Sequence, residues 1–385
     1  MKKVVWISLV SLTTAGSSVI PSLALAQAQQ PDEGIRLLAG AQYQSDSNFS
    51  RTANAEEEQI LRAGLGVGYS KSISAQRIAF RFSANQYRYN ERDYLDENSW
   101  EGTASWRSQF TNSVSTLINY QREETPVDQL EFTGRDLVAR ENTNAQLSLG
   151  DNRWLGIIVG AHQLQQRHSN EERRYLNFKD QDVFAEVRYK GASSSWVSLR
   201  YRDGERNYEL FELQPTNLNF DYTQWEVETA WKLTPKTELS GVAGYFTREG
   251  ESNNNEGALA SMKLTWQTSP KLATEITYSF SQPALGESTD APNEIASTIL
   301  MFRWQWSSKV NVTAGGSYSE LEYPGADDIL PRIERNISAT PLAMEWLFSD
   351  SLRFRFSAQW IERHSPIFIR DYDGYILTGG LALAF

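Results

Sequence analysis

The chain has 385 residues, no cysteine, 12 Trp, 17 Tyr and 17 Phe, and a formal net charge of −11; its mean hydropathy is −0.51. The missing cysteines exclude a disulfide scaffold, and no later segment reaches the run of about 18 apolar residues that a spanning helix needs. The acidic balance argues against nucleic acid as a partner, because phosphate binding requires a basic face.

Lys2 and Lys3 precede an apolar run, Val4 to Leu12, and Ala24-Leu25-Ala26 is an A-x-A cleavage site. This reads as a secretory signal peptide over 1–26, cleaved between Ala26 and Gln27, and not as an anchor. Residues 27–33 form a short lead-in. No linker or break in composition divides 34–385, so one domain is expected there.

From Gly34 onward, segments of about 10 to 14 residues alternate in polarity, as outer-membrane strands do. Tight connections rich in Asn, Asp, Gly, Ser and Pro separate some of them: 110–113, 150–153, 191–194, 233–236, 268–271, 307–309, 348–351 and the slightly longer 71–76. Long polar connections separate the others: 45–57, 91–95, 124–137, 167–177, 208–218, 249–254, 283–291, 320–331 and 364–369. The expected fold is all-β: a transmembrane antiparallel up-and-down β-barrel of about 16–18 strands, with short periplasmic turns and long extracellular loops. Trp106, Trp154, Trp196, Trp231, Trp266, Trp304, Trp306 and Trp346 lie near tight turns. Tyr87, Tyr89, Tyr120, Tyr201, Tyr245, Tyr278 and Tyr318 gather at the opposite strand ends. Two aromatic girdles at the membrane–water interfaces are expected from this.

The faces follow from period two. In 77–87, Ile78, Phe80, Phe82 and Ala84 oppose Arg77, Arg81, Ser83 and Asn85; in 352–363, Leu352, Phe354, Phe356, Ala358 and Trp360 oppose Arg353, Arg355, Ser357, Gln359 and Arg363. An arginine facing lipid at the midplane costs about 2–4 kcal/mol, so the basic face is the lumen. The same parity puts Arg62, Arg107, Arg140, Arg188, Arg200, Arg202, Lys263 and Arg303 inside, with Glu101, Glu186, Glu226, Glu228, Glu238, Glu275 and Glu345. Two readings stay open: a lumen that attracts anions, or an Arg–Glu ladder that stiffens the wall. Gly64, Gly66 and Gly68 read as small lumen positions. A barrel of about eighteen strands has a backbone diameter of roughly 35 Å, leaving a channel on the order of 10 Å.

Signals for an enzyme are weak. His162, His168 and His364 are the only histidines, no serine is selected as a nucleophile beside one of them, and no His/Asp/Glu group has metal-ligand spacing. No cofactor and no metal are expected.

The last stretch, Tyr375 to Phe385, alternates large apolar and small residues and ends on Phe385. As an open edge it would be a sticky surface; pairing with Gly34–Gln44 closes the barrel. Phe385 also resembles the assembly signal of outer-membrane barrels, which implies the barrel assembly machinery and outer-membrane lipid as partners. The opening Ala41 to Arg51, AQYQSDSNFSR, the strand Arg62 to Tyr69, Arg81-Phe82 and Gln86 to Asn90 resemble the start of the β-barrel porin-2 group. That group includes outer-membrane proteins of exopolysaccharide biosynthesis operons. The resemblance implies a channel passing a polysaccharide across the Gram-negative outer membrane, served by a periplasmic or envelope-spanning polysaccharide export protein. The alternatives are a general or anion-preferring diffusion porin, and a structural or adhesin-like barrel acting through its loops.

Overall fold

The computed structural model describes residues 33–150, 153–191, 195–209, 217–323 and 332–385. The expected leader, Ala26 and Gln27 included, and all of the lead-in but Glu33 lie outside them, as do parts of the 150–153, 191–194, 208–218 and 320–331 connections.

Strands follow one another along the chain. They are β1 Gly34–Asp46, β2 Glu58–Ile73, β3 Gln76–Tyr89, β4 Glu97–Thr111, β5 Val114–Pro126 and β6 Leu137–Leu149. Then come β7 Leu155–His168, β8 Phe178–Lys190, β9 Trp196–Tyr208, β10 Phe220–Thr234, β11 Thr237–Gly250 and β12 Asn255–Ser269. The last are β13 Leu272–Ser281, β14 Glu294–Gln305, β15 Val310–Tyr323, β16 Arg332–Leu347, β17 Leu352–His364 and β18 Tyr372–Ala384. Every consecutive pair is antiparallel, and β1 also pairs with β18, so the 18-stranded sheet closes on itself. Closure satisfies both edges. In the closing seam Leu38 faces Ala384 and Gln42 faces Gly380, and Phe385 and Leu37 exchange two backbone hydrogen bonds of 2.9 Å. Closing strand and first strand are each longer than their sequence patterns, reaching back to Tyr372 and on to Asp46.

The 71–76 connection is tighter than expected. The strands run on until Ile73 pairs with Gln76, leaving a two-residue turn with Ser74 at φ 55°, the left-handed backbone that matches strand twist.

Large apolar side chains line the outside. Leu65, Phe80, Phe82, Ile157, Val159, Val183, Leu199, Val227, Met262, Phe302 and Phe356 are all exposed. Surfaces of that extent are stable only against lipid. Trp154, Trp231, Trp266, Trp304, Trp306 and Trp346 edge this belt near the short turns, and Tyr43, Tyr201, Trp225, Tyr245, Tyr278, Tyr318, Trp360 and Tyr375 edge it near the long loops. Three aromatics depart from the girdle expectation because their parity turns them inward. Tyr87 and Tyr89 pack with Ile60 and Leu95 inside the barrel, and Trp196 shares the inward face with Arg188, whose guanidinium sits 4.1 Å over its ring. Proximity to a strand end identifies an aromatic; only parity says which side it serves.

One irregularity resets a face. On β16, Thr340 pairs with Gly315 but Ala343 pairs with Thr313, so the strand carries extra residues there. Pro341, which has no N–H for the ladder, sits in this bulge. Before it the even positions Glu334, Asn336 and Ser338 point inward, and after it the odd positions Ala343 and Glu345 do.

Candidate functional site: the lumen wall and its mouth

Strand register brings the inward charges into two unlike walls. Over β7 to β10 they form a matched ladder. Glu186 is fully buried and is held by Arg188 and Arg200, each at 2.6 Å. Arg200 also reaches Glu226 at 3.3 Å and Glu228 at 2.9 Å, and Arg202 joins Glu226 at 3.1 Å to Asp182 at 3.0 Å. Higher up, Arg206 holds Asp180 at 2.8 Å, and the Tyr222 hydroxyl donates to Asp180 at 2.8 Å. Buried charges persist only when paired in this way.

The wall from β16 round through β18 and β1 to β4 is unbalanced. Register places Arg36, Arg62, Arg77, Arg81, Arg107, Arg353 and Arg355 on its inward face. Below the mouth the inward acids there are Glu101, paired with Arg62, and Glu345, 3.0 Å from Arg355 and 3.7 Å from Arg353. Elsewhere Arg140 donates to Gln166 at 3.0 Å. Glu275 lies 2.9 Å from Lys263 and 3.5 Å from Arg303, and Glu238 faces Lys232 across β10 and β11. Gly64 sits inward against β3, where an added Cβ would lie 2.4 Å from the Asn85 side-chain oxygen.

Two of the long loops fold over the mouth, which nothing in the alternation pattern signals. The loop after β13 drops inward: Ala284 packs with Phe178, Tyr208 and Phe220, the Tyr208 hydroxyl donates to the Leu285 carbonyl at 2.9 Å, and Glu287 accepts from Arg206 at 2.6 Å. Its far end carries Asp290 to Arg332 and Arg370. The loop after β5 is held by Arg51 near Asp128, 3.8 Å away, and by His168, 2.7 Å from Asp136. Arg173, in the short 3-10 turn Glu171–Leu176, joins the two loops. It is 2% exposed and donates to Glu131 at 2.5 Å, to Asp136 at 3.1 Å and to Thr289 at 3.2 Å.

The loop carboxylates respond to these partners. Burial alone would raise Asp136, but hydrogen bonds from His168 and the Asn170 N–H, with the charges of His168 and Arg173, hold it below the usual range. Burial of Glu287 is likewise outweighed by the charge and hydrogen bond of Arg206. Asp128 goes the other way: burial lifts it despite Arg51.

The expectation of no metal-ligand grouping needs one correction. His162, Asp180 and Asp182 place ligand atoms within 4.8 Å of one another, because the β7–β8 register sets His162 opposite Asp182. Sequence spacing hides a pair formed across strands. The same carboxylates are already engaged by Arg202, Arg206, Tyr222 and His162, 2.9 Å from Asp182, so the group reads as part of the ladder. Asp46 and Asn253, polar residues at the loop edges, are likewise engaged, Asp46 by Arg51 at 2.6 Å and Asn253 by donating to the Leu218 carbonyl at 2.8 Å.

A closed barrel with an apolar outer belt is the one β architecture that spans a membrane, and this chain is an outer-membrane β-barrel. No protein-family model matches it, and no curated protein is significantly similar. Its fold is similar to that of the outer membrane protein opdK of Pseudomonas aeruginosa, with a TM-score of 0.53 at 7% identity, covering 91% of this chain and 99% of that one. It is similar too to P. aeruginosa OccK2 (OpdF), solved in complex with glucuronate, with a TM-score of 0.54 at 9% identity over 91% and 96% of the two chains. OpdQ of the same organism gives 0.52 at 11% identity over 92% and 98%. The fold likeness to these porin structures covers the whole barrel; no finding links the chain to an exopolysaccharide operon.

Proposed function

We propose that the chain is an outer-membrane channel, and specifically a diffusion porin that prefers small anions. The observation that carries this is the unbalanced wall: on β16–β18 and β1–β4, guanidiniums outnumber carboxylates inside a low-dielectric tube, where their fields add. The β7–β10 ladder is nearly neutral and stiffens the opposite side. The two readings of the lumen charge thus belong to two different walls. Arg81 and Arg355 are the residues assigned to selectivity, and Arg200, locked among three carboxylates, is not. Passage of a polysaccharide is less well supported, since two loops tied across the mouth oppose a continuous polymer. OccK2 was solved with glucuronate, which makes uronates sensible test solutes for a barrel of this fold.

Reversal potential in a salt gradient across a planar bilayer tests the reading. The wild type should prefer anions, and Arg81→Gln with Arg355→Gln should reduce the preference. A pore that prefers cations from the outset, or an anion preference that the double variant leaves intact, would overturn it.

A further inference from the structure

Three arginines of the mouth surround one carboxylate. Glu334 is completely buried; it accepts from Arg370 Nε at 2.9 Å, and Arg363 Nη2 donates to its other oxygen. Arg332 Nε lies 3.2 Å from the Glu334 carboxylate, without the geometry of a hydrogen bond. The Arg332 guanidinium is stacked 3.7 Å over the Tyr323 ring, which fixes its plane, and the Tyr323 hydroxyl accepts from Arg363 at 3.1 Å. Three guanidiniums against one carboxylate leave an excess of positive charge, and like charges this close require a second anion.

Asp290 supplies it, from a loop about forty residues away in sequence. It does so incompletely. A single oxygen, Oδ2, serves both Arg332 and Arg370, the latter at 3.5 Å. The Nε–H groups of Arg332 and Arg363 have no acceptor among the described residues. The two carboxylates also differ in access: Glu334 has 0% side-chain exposure and Asp290 42%. Glu334 is therefore built in, and Asp290 is exchangeable.

We propose that Arg332, Arg363 and Arg370 form a receptor site for a carboxylate-bearing solute at the mouth, with Asp290 as a tethered occupant that the solute displaces. The site deepens the anion-channel reading and rests on it for its biological use. A planar carboxylate matches a guanidinium with two parallel hydrogen bonds, whereas Asp290 makes one hydrogen bond to Arg332 and only an ion-pair contact with Arg370. The tether scales the intrinsic affinity down by the fraction of time the site is free of Asp290, so the site releases its solute into the lumen instead of trapping it. Thr289, bound to Arg173, adjoins Asp290, so displacement of the loop tip also pulls on the contact that joins the two loops.

Calorimetric titration of the purified full barrel in detergent with succinate tests this without requiring current. Asp290→Ala vacates the site and should tighten succinate binding by about tenfold or more. Adding Arg370→Gln to Asp290→Ala should abolish that gain, in a protein whose folding is verified by heat-modifiable gel mobility. Arg370→Lys in the same background should restore part of it, since charge remains and the fork is lost. Equal or weaker binding by Asp290→Ala, or a gain that survives Arg370→Gln, overturns the proposal. Tightened binding in a protein that passes no ions would uphold the site and refute the channel. An anion-selective pore with unchanged succinate affinity would do the reverse.

Discussion

Arg173→Gln is the most direct probe of the folded-over mouth. The arginine is almost fully buried and is the common partner of Glu131, Asp136 and Thr289; its guanidinium also lies 5.2 Å from the Phe132 ring centroid. Removing one partner of a buried ion pair costs about 3–5 kcal/mol. Asp136 keeps His168 and the Asn170 N–H, and Glu131 is partly exposed, so the lower end, about 3 kcal/mol, is expected. That falls on loop closure and not on the barrel ladder, whose strands pair independently of Arg173. It corresponds to roughly two decades in the closed-to-open ratio. A glutamate-specific protease reads it directly, because Glu131 and Glu287 lie one in each loop. Cleavage of the detergent-solubilised barrel should accelerate strongly at Glu131, and less at Glu287, which Arg206 still holds. Arg173→Lys should fall between. Unchanged cleavage at both sites, with an intact barrel on gels, would refute the reasoning that Arg173 holds the loops.

Arg200→Gln should lower the temperature of heat-induced gel mobility shift by removing a charge from among Glu186, Glu226 and Glu228, a loss of about 3 kcal/mol, while leaving ion selectivity nearly unchanged; a large selectivity change with normal heat resistance would contradict the ladder assignment. Deleting Phe385, whose side chain is largely exposed, removes little from the fold beyond its hydrogen-bond pair with Leu37, yet should reduce outer-membrane levels more than this implies, because the assembly machinery would lose its signal; normal levels by fractionation would count against it. For pH, Asp136 and Glu287 have folded pKa values below their unfolded ones. Their contribution to loop closure is therefore full above the ordinary carboxylate range of about 3.9–4.3 and is lost only as pH falls below it through the folded values. Asp128 is raised, so acid first protonates it and favours the folded loop. Glu131 and Glu287 should stay protected from neutral pH down to the ordinary carboxylate range, and deprotection well above that range, detected by pulse proteolysis, would show the signs to be misassigned.

Period-two alternation was legible in the sequence because a strand's two faces are set by adjacent residues: Phe80 and Phe82 must lie opposite Arg81 wherever the strand goes. Turn chemistry placed the hairpins for the same local reason. The closing role of the last strand followed from the cost of leaving it as an edge. Partnership was not legible. Which carboxylate Arg200 meets depends on the register of three strands and on the closed barrel's stagger, and only the Pro341 bulge lets Glu334 before it and Glu345 after it, of opposite parity on one strand, both face inward. Tyr87 and Tyr89 look like girdle residues in a list of strand ends, and only the inward pleat of β3 makes them core. The mouth lay furthest from view. Arg173 and Thr289 are 116 residues apart, on loops with no period, and only a closed barrel confines those loops over one small opening. There, burial forces each carboxylate onto an arginine, because an unpaired charge withdrawn from water costs more than ordering the loop that neutralises it.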